Sequence, residues 1–356
     1  MAEKMKQYIE EQPGVWAGIL EEREALTGPF LERMKGRRAS RIVLLGSGSS
    51  MNASLAAKEL FEELLGVETR VLMPTRMGHW FSEPEDTLVI AVSQSGRSTS
   101  TMYAVRDLQA KGYEVTAMTS DGDSPLAKAC DGHILIGCGQ ESVGPKTKGM
   151  TATVLTLYVT AMGLAKLWGE KTEAELDVYV DNLKLSFAYA SENTEKCYEF
   201  CGRHVTKMAS YPHFTWVSDG EGYAVGMESA LKVLETLYVP AFCYEFEEYL
   251  HGVNNTIGQG ECYFWIPSTD ENADRMARLR RFCGEKGCDG YLITSKSLTE
   301  TDEKTLCLKG SGMWYTQPFE TMIFAQVLSA VGSEEKRIDC DKPKFPEFYQ
   351  FMNTKL

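Results

Sequence analysis

The sequence predicts an α/β protein built from two tandem, doubly wound parallel-sheet lobes. Short apolar runs rich in β-branched residues alternate with amphipathic segments. Each amphipathic segment opens near a serine and stops at a glycine, as helix capping requires. The whole pattern then returns once, about 170 residues further on.

Ile42–Leu45, Leu88–Val92 and Val115–Met118 read as buried parallel strands. Between them, Ser50–Leu65 gathers Leu55, Leu60, Phe61, Leu64 and Leu65 on one face and stops at Gly66, and Ser98–Lys111 stops at Gly112. Strands alternating with helices imply right-handed βαβ units and a parallel sheet. HFTWVSDGEG (213–222) echoes RIVLLGSGSS (41–50), and CYFWIPSTDEN (262–272) echoes LVIAVSQSGRS (88–98). KGCDGYLITS (286–295) echoes KGYEVTAMTS (111–120), and TMIFAQVLSAVG (321–332) echoes TVLTLYVTAMG (153–163). Gly48/Gly220, Val92/Ile266, Lys111/Lys286 and Gly163/Gly332 are 172, 174, 175 and 169 residues apart, so the copies stay in step. The predicted organisation is a helical N-terminal arm (1–38), a first lobe (39–168), a helical linker (169–209), a second lobe (210–336) and a tail containing Pro and Lys (337–356).

A chain of 356 residues suits two domains. Its net charge of -13, with no Lys/Arg cluster, argues against a nucleic-acid partner, which needs a basic stripe. A small anion remains compatible, since a local pocket can be positive on an acidic protein. The N-terminus MAEKMKQYIEEQPG has no apolar h-region and does not read as a signal peptide. Thr151–Trp168, with four threonines and flanking lysines, reads as a buried helix and not a membrane span. The ten cysteines include no CxxC pair. Cys197/Cys201 and Cys283/Cys288 lack a His partner at finger spacing, so no metal site is expected, and reduced core thiols in a cytoplasm are.

Ligands of open α/β sheets sit beyond the carboxyl ends of the strands. Two loops of the first lobe leave such ends: Gly46-Ser47-Gly48-Ser49-Ser50, and Ser93-Gln94-Ser95-Gly96-Arg97-Ser98 with Thr99-Ser100-Thr101 after it. Both place Gly and hydroxyl residues at a helix N-terminus, where N–H groups and the helix dipole favour an anion. Neither is a dinucleotide fingerprint or a Walker A loop, so a nucleotide is not the natural ligand; together the two loops favour a phosphomonoester site over mere helix capping. Gly144-Pro145-Lys146-Thr147-Lys148-Gly149 also precedes a helix and supplies two cations.

For proton transfer, Met227–Tyr238 (MESALKVLETLY) sets Glu228, Lys232 and Glu235 at i, i+4 and i+7 on one helical stripe, beside an apolar stripe of Met227, Leu231, Leu234 and Tyr238. The plain reading of Glu228–Lys232 is a surface ion pair; the functional one notes that the helix follows the Ser218–Gly222 loop, counterpart of the Gly-Ser loop. His251, sixteen residues past Glu235, follows Glu245, Glu247 and Glu248 and precedes a glycine.

On these residues the chain resembles the double sugar-isomerase-domain (SIS) proteins, of flavodoxin-like lobes, and most closely the isomerase half of glucosamine-6-phosphate synthase. The likeness is carried by MKQYIEEQP (5–13), the SQSG loop, ESVGPKTKGMT (141–151), the ESALKVLE helix, the LHG segment and DCDKP, in that order over nearly the whole chain. The resemblance implies that Ser50, Ser93, Gln94, Ser95 and Ser98 hold a sugar phosphate, with Gly48, Ser49, Lys146 and Thr147 also at the substrate. It implies that Glu235 moves a proton between C1 and C2, with Glu228 and Lys232 beside it, and that His251 opens the ring from a neighbouring subunit. It implies a homodimer or higher homo-oligomer with shared active sites, no cofactor, and no membrane or nucleic-acid partner.

The sequence departs from the synthase pattern. No glutamine-hydrolysing domain precedes the repeat, so glutamine is not the expected nitrogen source. Pro145 and Lys146 replace small residues, Leu250 replaces a lysine, and Phe348 stands where the synthase has a tail lysine, leaving Lys344 and Lys355 as candidates. These departures shift the expectation to the related deglycases, which split fructosamine 6-phosphates into a sugar 6-phosphate and an amine or amino acid with the same glutamate–histidine pair. The alternatives are a glucosamine-6-phosphate deaminase or aldose–ketose isomerase, and a non-catalytic sugar-phosphate sensor.

Overall fold

The computed structural model describes residues 2–76, 83–258 and 260–356. They form two compact units. The first-sheet unit comprises residues 14–142, 148–180 and 343–356; the second-sheet unit comprises the chain up to Pro13, residues 143–147 and residues 181–342.

The chain opens with two helices, α1 (Glu3–Glu21) and α2 (Arg23–Met34). It then alternates β1 (Arg41–Leu45), α3 (Ser49–Leu65), β2 (Glu68–Leu72), β3 (Thr87–Val92), α4 (Thr99–Ala110), β4 (Val115–Thr119), α5 (Pro125–Ala129), β5 (Gly132–Leu135) and α6 (Lys148–Trp168). The five strands form one parallel sheet in the order β2-β1-β3-β4-β5. The central strands β1, β3 and β4 are buried along almost their whole length, which is why they read as continuous apolar runs. Val43, Leu45, Val89, Ala91, Val115 and Ala117 face Met102, Val105 and Leu108 of α4 across one core layer.

The capping signals hold. The Ser98 side chain caps α4 by accepting from the Thr101 N–H, and Ser124 caps α5 from Ala127. Gly66 ends α3 in the left-handed region at φ 64. Helix α6 is long and apolar enough to cross a membrane by length and composition, yet 83% of its apolar window is buried, and it packs on α2 and α3. The buried-helix expectation therefore stands.

After α7 (Glu173–Ala188) and α8 (Ala190–Ala209) the pattern repeats as β6 (Phe214–Ser218), α9 (Gly222–Leu237), β7 (Ala241–Glu245), α10 (Phe246–Leu250), β8 (Cys262–Ile266), α11 (Asp270–Glu285), β9 (Asp289–Thr294), β10 (Thr305–Cys307), α12 (Gln317–Glu320) and α13 (Met322–Glu335). The second sheet is also parallel, in the order β10-β9-β8-β6-β7. Counted from its own first strand this is again 2-1-3-4-5, so the two sheets share one topology, as the echoes predict. Its core is more aromatic: Trp216 stacks on its cross-strand partner Phe264 at 4.4 Å, and Phe264 on Tyr291 at 5.6 Å. A short helix, α14 (Phe348–Phe351), lies in the tail.

Candidate active site

In the first sheet the strand order reverses between β1 and β3. The chain leaves β1 for β2 on one side and returns to β3 on the other. Crevices for ligands form at such a switch point, outside the carboxyl ends of the strands. The two serine-rich loops leave these two strands, which are hydrogen-bonded neighbours with Leu45 opposite Ala91. The structure thus brings Gly48, Ser49 and Ser50 to the same sheet edge as Ser93, Gln94, Ser95 and Ser98.

Glycine is required at two points of that edge. Gly48 precedes α3 at φ 56. Gly96, at φ 63, has no room for a side chain, since a Cβ would lie 2.1 Å from Ser124 Oγ. Ser49 and Ser50 are half-buried in the first turn of α3, and Ser93 and Gln94 are buried below Ser95 and Ser98. The Ser93 N–H donates to the Met118 carbonyl at 3.0 Å, tying the loop to β4.

Gln94 is held by a residue the sequence reading passed over. Its Nε2 donates to Glu141 Oε2 at 3.3 Å and to Cys138 Sγ at 3.7 Å, while its Oε1 is buried without a partner. The same Glu141 oxygen accepts the Gly149 N–H at 3.2 Å, in the first turn of α6. A Cβ on Gly149 would sit 2.3 Å from Gln94 Nε2 and 2.5 Å from Glu141 Oε2. The signal was present in ESVGPKTKGMT: an acidic residue ahead of a helix, with glycine in that helix's first turn. Burial raises the Cys138 thiol pKa, so this sulfur stays a neutral neighbour of the amide.

Lys146 and Thr147 belong to the short 143–147 segment of the second-sheet unit. Lys146 Nζ donates to the Val143 carbonyl at 3.0 Å; Thr147 is fully buried, with its carbonyl accepting from Gln326 at 3.3 Å.

The corresponding edge of the second sheet is chemically different. The Asp219 carboxylate follows β6 and accepts the Ser268 N–H at 2.7 Å and the Asn272 Nδ2 at 2.7 Å. Ser268 Oγ donates to the Asp219 carbonyl and accepts the Gly222 N–H at the start of α9. Burial raises the Asp219 pKa above its ordinary value, against the hydrogen bonds from Asn272 and Ser268. In the second lobe the Ser268 and Asn272 donors are consumed internally by Asp219.

Helix α9 carries the acid–base candidates, and it is turned inside out. Glu228 is 0% and Lys232 1% exposed, whereas Leu234 is 43% exposed. This corrects the plain surface-pair reading: the charged stripe faces the interior and part of the apolar stripe faces out. Lys232 Nζ lies 3.4 Å from Glu228 Oε1 and 2.6 Å from Glu235 Oε2. Glu235 is the half-exposed member of the triad. Such an array fixes one carboxylate at the surface with a buried ammonium behind it, as a positioned proton carrier requires.

His251 is exposed and ends α10. Its Nδ1 bonds the Glu247 carbonyl at 2.7 Å. A carbonyl only accepts, so Nδ1 carries the proton, leaving Nε2 to exchange one. Glu235 and His251 share no hydrogen bond among the described residues; each is held by its own neighbours. No group of three or more His, Cys, Asp or Glu suited to a metal occurs among the described residues, and all ten cysteines are free.

The sheet order and the loops of the first lobe coincide with a known domain. Residues 37–163 form a SIS domain. The chain is homologous to the SIS half of the isomerizing glutamine–fructose-6-phosphate aminotransferases. The enzyme of that name from Helicobacter pylori (strain J99) is 30% identical over 326 residues, covering 88% of this chain and 52% of its own length. The chain spans about half the length of the curated relatives it matches. Among solved structures, a Clostridium difficile 630 protein provisionally assigned as a phosphosugar isomerase superposes with a TM-score of 0.92 over 99% of both chains, at 21% identity. Glucosamine-6-phosphate deaminase from Thermotoga maritima superposes with a TM-score of 0.74 over 96% of this chain and 97% of its own, also at 21% identity. These two likenesses establish a shared SIS fold.

Proposed function

We propose that this SIS protein is a phosphosugar enzyme that deglycates a ketosamine 6-phosphate, releasing a sugar 6-phosphate and an amine or amino acid. The observation that carries the reading is the Glu228–Lys232–Glu235 array, in which a buried ammonium holds one half-exposed carboxylate in place. A sensor that only binds its ligand has no need of such an arrangement, which leaves a cation and a carboxylate buried at a cost in stability.

In this reading the serine loops hold the phosphate through Ser50, Ser93, Ser95 and Ser98, with the α3 and α4 N-termini adding N–H donors. The Gln94 amide already donates twice within the protein, so its contribution to a phosphate is through its backbone. His251 moves the anomeric proton to open the ring. Glu235 removes a C1 proton of the open-chain ketosamine while the C2 carbonyl oxygen takes a proton from water, giving an enolamine, and then delivers its proton to C2, leaving a C1 iminium. Water adds to C1, a proton passes to nitrogen, and the C–N bond breaks to an aldose 6-phosphate and the free amine. The exposure of His251, with no bond to Glu235, supports a homo-oligomer in which a second copy supplies the histidine.

The test is a mass-spectrometric screen of phosphorylated Amadori compounds alongside amino sugar phosphates. Amine release from a ketosamine 6-phosphate is expected. Ammonia release from glucosamine 6-phosphate would favour the deaminase reading instead. Binding without turnover on either class would make the protein a sensor.

A further inference from the structure

The switch points of the two sheets match in register. Leu45 of β1 lies opposite Ala91 of β3, and Val217 of β6 lies opposite Trp265 of β8. These are the positions that the repeat offsets of 172 and 174 residues join. In both lobes the loop after the first of these strands turns through a left-handed glycine, Gly48 at φ 56 and Gly220 at φ 47. Asp219 therefore stands where the first lobe has Ser47, and Ser268 stands where it has Gln94.

That exchange of serine for aspartate decides what becomes of the donors. In the first lobe no acceptor among the described residues takes the Gln94 N–H. In the second, the counterpart Ser268 N–H donates to Asp219 Oδ1 at 2.7 Å, and Asn272 Nδ2, from the first turn of α11, donates to Oδ2 at 2.7 Å. Asp219 is 5% exposed, and no cation pairs with it among the described residues. Its carboxylate is held by N–H donors at the head of a 16-residue helix, as such termini hold a bound oxyanion. The wall beside it is closely built. Ser268 Oγ accepts the Gly222 N–H at 2.9 Å, and a Cβ on Gly222 would fall 2.5 Å from that oxygen and 2.8 Å from Ser218 Oγ.

We propose that the second lobe contains a phosphate-type cradle occupied by the protein's own Asp219, and that truncating this side chain unmasks a site for a small oxyanion, inorganic phosphate. Asp219 acts as a tethered ligand. Its attachment gives it an effective concentration that a free anion does not match, so the second crevice stays closed to phosphate in the wild-type chain. The choice of phosphate as the anion rests on the phosphosugar reading of the first lobe; the cradle itself rests on the bonds that Asp219 makes.

The test follows thermal unfolding of the full chain as wild type, Asp219→Ala, Asp219→Ser and Asp219→Asn, in rising inorganic phosphate, formate or chloride at matched ionic strength. Asp219→Ala is expected to melt about 5 °C below wild type. It should regain most of that loss in phosphate, and in formate, which is the group the substitution removes, but not in chloride. Asp219→Ser copies Ser47 and should gain in the same way, which keeps the idea testable if the alanine variant does not fold. Asp219→Asn fills the cradle with an amide and should gain no more than wild type. If neither truncated variant gains more from phosphate than wild type does, the inference is wrong, whatever glucose 6-phosphate does at the first lobe. Rescue by formate alone also rejects it, since the cradle then fits only a carboxylate. If a truncated variant gains from phosphate while wild type binds no glucose 6-phosphate in calorimetry, the phosphosugar reading fails and the cradle stands.

Discussion

Lys232 donates to Glu235 across 2.6 Å from a position 1% exposed, so the half-exposed carboxylate of α9 is held from behind by a buried charge. Proton transfer at C1–C2 needs a carboxylate whose direction is fixed and whose outer face is open. Glu235→Gln is therefore expected to lower turnover by orders of magnitude while sugar-phosphate affinity survives. Steady-state kinetics beside calorimetry decide it, and full activity in the variant would remove Glu235 from the mechanism.

The same ammonium neutralises Glu228, which is 0% exposed. Lys232→Met removes the ammonium beside that buried carboxylate, with an expected cost of about 3–5 kcal/mol. Replacing both as Lys232→Met/Glu228→Leu recovers much of the loss, because two apolar groups need no partner. Urea unfolding of the three proteins checks this; equal stability of the single and double variants would contradict it.

Ser98 has two tasks, capping α4 and, in the proposed reading, binding phosphate. Ser98→Ala should lose about 1 kcal/mol of stability and also weaken phosphate binding. Ser98→Thr keeps a hydroxyl for both tasks. A variant that loses stability alone, with glucose 6-phosphate affinity untouched, would confine Ser98 to the cap.

Asp289, at the start of β9, shows how the second lobe responds to acid. Burial alone would raise its pKa, but hydrogen bonds from Lys304, Tyr211 and Lys207 outweigh it and pull the carboxyl down to about 2. A carboxyl depressed on folding stabilises the protein above its unfolded value of about 3.9 and loses that contribution as pH falls toward 2. Asp289→Asn should cost about 2 kcal/mol near neutrality. The gap from wild type should close as the pH drops from about 4 toward 2. A gap that does not change with pH would show that ionised Asp289 is not its source.

In the proposed reading the serine loops of the first lobe bind the anion, whereas among the described residues the Ser268 and Asn272 donors of the second lobe are engaged by Asp219. Titration with glucose 6-phosphate should therefore saturate at one equivalent per chain. Two equivalent sites per chain would overturn the contrast drawn between the lobes.

Much of the fold was legible because strands buried on both faces are written as apolar runs, and serine and glycine mark the helix ends between them. The strand order was not, since sequence shows which elements follow one another and not which side of β1 receives β2. At the candidate site, the i, i+4, i+7 spacing located Glu228, Lys232 and Glu235 on one stripe, but hydropathy suggests the wrong facing for them: Leu234 ought to be inside and Lys232 outside. Two contacts escaped altogether. Glu141 reaches Gln94 across 47 positions, and the Ser98–Lys355 bridge joins a first-lobe loop to the C-terminal tail. Pairings of that separation leave no local pattern to read.

Helix α9, with a leucine in water and a lysine in the core, sets a trap for protein engineers. A thermostabilisation scheme guided by burial would exchange them, Lys232→Leu with Leu234→Lys, and would expect a hardier molecule. The swap would instead strip the buried Glu228 of the ammonium 3.4 Å away and, in the proposed reading, dismantle the proton carrier. Consensus or automated redesign of this chain should leave positions 228, 232 and 235 untouched and look for heat resistance elsewhere.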